Sequence, residues 1–235
     1  MHPPPAQFSW SATLQGLRHP GPPPPGLIGI ALLLLTACLA AVAILLWLGL
    51  AWRGDPHRYF REWTVGTYLS FVNLIASGAV AGLVALRLHP LPFARFWWIA
   101  AVGFAWLALD DLFVLHEGID RAVHARLGLD PHNPLTDHLD DVIVASYGVA
   151  ALWLAYRYRV DLARLRWMAL VLGLAFPLFV GMVALDMTHL SHTVEDCLKV
   201  VAGTLILVGF VAARLEIAAW ETLTDRRPKV LDDVR

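Results

Sequence analysis

The sequence predicts an all-α fold, a polytopic membrane bundle of six transmembrane helices with both termini in the cytoplasm. Three observations carry that expectation. Of the 235 residues, 58% are hydrophobic and only 16% are charged, whereas soluble domains are about 45–50% apolar and about 25% charged. The apolar residues fall in long runs rather than in stripes at helical period, the pattern of membrane helices. Lysine and arginine are also divided unequally between alternate loops, which sets orientation.

Each element follows from these runs. Residues 1–25 read as a proline-rich cytoplasmic tail, extended rather than packed. The membrane domain covers 26–220, and 221–235 form a polar cytoplasmic tail. The first span is 26–52. Its Leu35-Thr36-Ala37-Cys38 resembles a lipoprotein cleavage box, but the apolar run continues to Trp52, past where a signal sequence should stop. The second span, 63–88, contains Gly78 and Gly82 in a G-x-x-x-G pair that permits close helix packing. The third is 93–117. The fourth is 139–158, with Asp137 as N-cap. The fifth, 165–190, carries Pro177 as an expected kink. The sixth, 194–220, opens on the capping-box variant Thr193-x-x-Asp196.

Six spans place the N-terminus, the second and fourth loops and the C-terminus on one side. That side holds twelve of the eighteen basic residues: Arg18, Arg87, Arg95, Arg157, Arg159, Arg164, Arg166, Arg214, Arg226, Arg227, Lys229 and Arg235. The opposite side holds five, Arg53, Arg58, Arg61, Arg121 and Arg126, and Lys199 lies within the sixth span. The basic side is expected to be cytoplasmic. The net charge of −1 leaves no basic footprint for nucleic acid. Two cysteines, Cys38 and Cys197, are too few for a disulfide framework or a cysteine zinc site.

Two polar clusters interrupt the apolar chain. Residues 109–124 read L-D-D-L-F-V-L-H-E-G-I-D-R-A-V-H, and residues 186–196 read D-M-T-H-L-S-H-T-V-E-D. Ionisable groups at membrane depth are costly and usually functional. By topology both clusters fall at the extracytoplasmic ends of their spans. Read as one continuous helix, the third span puts Asp110 and Glu117 on a shared face and pairs His116 with Asp120. The i, i+4 spacing pairs Glu195 with Lys199.

Carboxylates and imidazoles without thiolates suit zinc, iron or manganese. Asp186-x-x-His189 is a shortened form of the Glu-x-x-His spacing used in di-metal bundles. The expected metal ligands are Asp111, His116, Asp186, His189 and His192, and the expected acid–base residues are Asp110, Glu117 and Glu195. Plainer readings stand beside these. Asp137, Asp140, Asp141, Glu195 and Asp196 sit in first helical turns, where acids complement the helix dipole. His57, His124, His132 and His138 read as solvated loop histidines. Asp110 and Asp111, mid-helix after an apolar run, have no such plain reading.

The D-D-x4-H-E pattern of Asp110, Asp111, His116 and Glu117, with the acidic pair Glu195-Asp196 opening a later span, resembles a recurrent pattern in uncharacterised bacterial multi-pass membrane proteins. That resemblance implies a bacterial inner membrane location and carries no activity. The chemistry is also similar to that of membrane hydrolases related to alkaline ceramidases and adiponectin receptors. Their S-x3-H and late H-x3-H spacings are absent, and His189-x-x-His192 stands where the latter would. Glu195 before Lys199 looks like the retinal helix of microbial rhodopsins, without their seven spans or the aromatic box around Pro177.

The functional expectation is a metal-dependent membrane enzyme, a hydrolase or an oxidoreductase, acting on a lipid or other membrane-soluble molecule. Transport of protons or divalent cations is the first alternative. A non-catalytic subunit is the second, with ten tryptophans and small-residue seams for a partner or a homo-oligomer. The bilayer itself is the expected surrounding partner.

Overall fold

The computed structural model describes residues 22–60, 63–128, 139–188 and 192–225, with side chains for all of these except 141, 186–188 and 221–225. The described residues form eight helices: α1 (Leu27–Arg53), α2 (Val65–Leu88), α3 (Ala94–Phe113), α4 (Leu115–Leu127), α5 (Leu139–Arg157), α6 (Arg159–Leu162), α7 (Arg166–Thr188) and α8 (His192–Asp225). The all-helical expectation therefore holds. Five of them, α1, α2, α3, α7 and α8, are long and apolar enough to cross a membrane, as in an integral membrane protein. The apolar stretch of α5, Val142–Arg157, is shorter. Their apolar side chains suit them to contact with a lipid bilayer.

The helix α8 is the axis. It packs against α7, α2 and α1, while α2 packs along α3. Of its most apolar window 67% is buried, against 11% for α1. It runs to Asp225, past the expected boundary at 220. At one end of the bundle Val84, Trp97, Leu165, Met168, Phe210 and Ala213 form the main core. Leu154 and Tyr158, at the end of α5, pack on the same core. Trp97 and Phe104 both meet Phe210 edge-on, at 5.6 and 5.0 Å between ring centres. Towards the other end Val42 and Leu45 of α1 meet Phe60 and Val200.

The glycine pair acts within the chain. A Cβ on Gly78 would stand 3.1 Å from the Ala101 carbonyl oxygen, so α2 and α3 approach backbone to backbone there. At the end of α1, Gly54 adopts φ 64°, its N–H donates to the Leu50 carbonyl and the Asp55 N–H donates to that of Gly49. That left-handed cap favours glycine. At the first turn of α7, the buried carboxylate of Glu216 on α8 accepts hydrogen bonds from the N–H groups of Trp167 and Met168, at 3.0 and 3.3 Å. It satisfies donors that a helix start leaves open.

One expectation fails. The stretch 93–117 is not one helix, because the chain breaks at Val114. This valine adopts φ 53° and ψ 47°, ends α3 and begins α4. A β-branched residue in the left-handed region is strained. Beyond it the direction of every polar side chain differs from that of a continuous helix. The proline-rich stretch as far as residue 21 and the segment from 226 lie outside the described residues.

Candidate functional site

The break at Val114 organises the first cluster. Asp110, buried in the last turn of α3, accepts the His116 main-chain N–H on Oδ1 at 2.8 Å. Its Oδ2 lies 3.2 Å from His116 Nδ1. The carboxylate thus caps α4 from across the break and grips the imidazole of its second residue. The Asp110 hydrogen bond raises the pKa of His116 above its ordinary 6.5, against the lowering effect of burial. Asp110 and Glu117 do not share a face, and His116 turns to Asp110 rather than Asp120. Glu117 pairs instead with Arg121 at 3.0 Å on an exposed surface. Asp120 pairs with His124 at 2.8 Å. His124 is buried rather than solvated.

Asp111 points the other way, to α8. Its Oδ1 forms an ion pair with Lys199, and its buried Oδ2 has no hydrogen-bond partner among the described residues. The Asp111 side chain is 7% exposed and that of Lys199 38%. The expected Glu195–Lys199 pair is replaced by this longer-range one. Glu195 and Asp196, a turn before Lys199, still act on it electrostatically.

Glu195 takes His192, with Oε2 3.4 Å from Nδ1. Asp196 takes His57, which the sequence alone places in a solvated loop, with Oδ2 3.5 Å from Nδ1. The His57 N–H donates to Asp55 Oδ1 at 3.0 Å, which anchors the loop after α1. The His57 and His192 rings stand 6.0 Å apart, tilted by 48°. Four histidines, His57, His116, His124 and His192, have Nδ1 within 4 Å of a carboxylate oxygen; the hydrogen bond to the carboxylate is made by His116 and His192, whereas His124 Nδ1 meets the Asp120 main-chain carbonyl at 3.0 Å.

Asp186 lies in the last turn of α7 and Asp141 in the first turn of α5, their side chains not described, and His189, His132, His138 and Asp137 lie outside the described residues. Of the expected metal set, Asp111 is engaged by Lys199, His116 by Asp110, and His192 by Glu195. These three side chains go to separate partners. Among the described residues no three acidic, histidine or cysteine side chains gather closely enough to hold an ion.

Below Lys199 a short polar seam joins α2 to α8. Asn73 Nδ2 donates to Thr204 Oγ1 at 2.9 Å and to the Val200 carbonyl at 3.3 Å. Ser77 donates to the Asn73 carbonyl at 2.8 Å. Farther along α8 the Trp97, Phe104 and Phe210 cluster fills the bundle. Two signals for the residues that sequence reasoning missed were present. His57 lies in a loop on the same predicted face as the clusters, and Glu216 is an acid within an otherwise apolar span.

Residues 32–213 match the model of a family described as a domain of unknown function (DUF8692). Comparison with curated proteins and with solved structures gives no match.

Proposed function

Because the chain belongs to the DUF8692 family, which brings no activity with it, we propose a function from the geometry of its polar layer. The chain is a bacterial inner-membrane enzyme of six spans, with both termini cytoplasmic and its site at the extracytoplasmic face. Helix α5 supplies the remaining span. The site works by acid–base chemistry on a lipid or other membrane-soluble substrate.

The observation that carries this reading is the repeated pairing of a histidine Nδ1 with a carboxylate. A carboxylate on Nδ1 fixes the tautomer and orientation of the ring and leaves Nε2 as the atom that moves a proton or binds a ligand. Asp110 does this for His116, and Glu195 for His192. Glu117, held by Arg121, stands at the rim. A divalent metal of the zinc, iron or manganese kind would supply an activated water in this reading.

Transport is the second reading. The seam of Asn73, Ser77 and Thr204 favours it, since it carries polar atoms inward from Lys199. The aromatic plug beyond the seam favours a one-sided site. The test is the wild-type protein in lipid nanodiscs, assayed for metal content and for turnover of a total lipid extract by mass spectrometry. Stoichiometric metal and a changed lipid are expected. Proton flux in proteoliposomes that Asp111→Asn abolishes, with no lipid changed, would reverse the order of the two readings.

A further inference from the structure

We propose that the exposed face of α3 holds one anionic phospholipid, with an acyl chain in the groove between Trp98 and Trp106 and the phosphate on Arg95. The polar layer at the other end of α3 takes no part in this site, which stands whether or not that layer is catalytic.

Helical spacing builds the groove. One side of α3 is buried along α2 through Phe96, Trp97 and Ala100. The other side exposes Trp98, Ile99, Val102 and Trp106. These four and Gly103 line an apolar groove of about 510 Å³, within the usual size of ligand sites, about 300–1,000 Å³. Gly103 is its floor, where an added Cβ would meet no atom within 4 Å. Between the two indoles a chain-like ligand finds apolar surface on three sides.

Charge marks one end. Arg95 precedes Trp98 and Ile99 by one helical turn and so shares their face. It is exposed, and among the described residues no ion pair engages it. A guanidinium receives a phosphate through paired, charge-assisted hydrogen bonds. A second cation stands at the same end. Tyr158 rests against the rings of Phe93 and Phe96 at the start of α3, and the Arg157 guanidinium lies over Tyr158 at 5.7 Å. The acids with described side chains at this end are Asp161 and Glu216, and Glu216 is buried against the amides of α7. The field there is positive, which suits a lipid of negative headgroup.

Length decides for a lipid. From Arg95 to Trp106 the helix rises about 16 Å, close to half of the hydrocarbon layer of about 30 Å. That is the reach of an acyl chain within one leaflet. Beyond Trp106 the same face is filled by the exposed side chains of Leu109 and Phe113. A helix from a second copy needs an open face over the whole span, whereas a lipid entering from the α2–α3 turn needs only this half. Trp98, one turn in from the cation, has the apolar body and polar edge that suit the headgroup boundary.

The experiment titrates phosphatidylglycerol or phosphatidylcholine with the same chains into delipidated wild type in detergent, and counts bound lipids by native mass spectrometry. One phosphatidylglycerol is expected to bind about tenfold more tightly than phosphatidylcholine. Arg95→Gln should bring the two lipids level. Gly103→Leu, whose side chain enters open space, should weaken phosphatidylglycerol by about tenfold or more. Both positions are exposed, so both variants should melt as wild type does. Glycerol 3-phosphate, a headgroup without chains, should not compete. Equal binding of the two lipids by wild type, or unchanged selectivity in Arg95→Gln, overturns the assignment. Uptake of many lipids with no first tight one overturns it too, as does a dimer that Gly103→Leu dissociates, which gives the groove to a second copy.

Discussion

Asp110 holds His116 twice, once by its main-chain N–H at 2.8 Å and once by its ring at 3.2 Å, across the left-handed valine that separates α3 from α4. One carboxylate thus fixes both the start of a helix and the orientation of a titrating group. The Asp110→Asn variant keeps an acceptor for the N–H and loses the charge. It should cost about 1–2 kcal/mol, the usual worth of a cap or a charge-assisted bond, read by thermal denaturation in detergent.

The same pair sets a pH dependence. Its imidazole binds a proton more tightly in the folded protein than free, chiefly through the Asp110 hydrogen bond. A raised pKa stabilises the fold fully below the unfolded value of about 6.5 and ceases to do so as pH rises through the folded value. Wild-type melting temperature should therefore fall as pH rises from about 6.5. His116→Gln should remove that part of the slope. An unchanged slope in the variant would exclude His116 as its source.

Lys199 and Asp111 should be strongly coupled. Removing one member of a buried pair leaves an uncompensated charge and costs on the order of 3–5 kcal/mol. The 38% exposure of Lys199 draws the expected value to the lower end of that range. Lys199→Met alone should be markedly destabilising, and the double variant with Asp111→Asn should recover most of the loss. A double-mutant cycle measures this coupling directly.

The glycines of the second helix should behave unequally. At Gly78 a new Cβ meets the Ala101 carbonyl at 3.1 Å, whereas at Gly82 the nearest neighbour is a methyl at 3.9 Å. Gly82→Ala should be neutral or slightly stabilising, since it also lowers the entropy of the unfolded chain. Gly78→Leu should part α2 from α3 and cost about 1–3 kcal/mol or more.

Glu216 should matter despite its distance from the polar layer. Glu216→Ala strands the N–H groups of Trp167 and Met168 at the start of α7. The expected loss is about 1–2 kcal/mol, and Glu216→Gln should recover part of it.

Helical class and the membrane-compatible runs were legible because bilayer thickness imposes long apolar stretches directly on sequence. The Gly78 and Gly82 seam was legible for a similar reason, since small residues at that spacing have one main use. The partners in the polar layer were not. The pairing of Asp110 with His116 depends on the break at Val114, and valine is a residue that local propensity places last in that conformation. A helix drawn through 114 rotates everything after it. Lys199 passed for the partner of Glu195 because i, i+4 spacing is visible in sequence and a contact from α3 is not. His57 was hidden for the same reason, its partner Asp196 being remote in the chain.

The strained valine also has a consequence for depth. Twenty residues of α3 rise about 30 Å, close to the thickness of a bilayer's hydrocarbon layer. Five residues more without interruption would carry Glu117 and His116 along the same line, fixed to the tilt of the span. With the rod broken at Val114, α4 takes its own heading, independent of the tilt of α3. Val114 thus divides the motif between α3, long and apolar enough to cross a membrane, and the short α4, which is not.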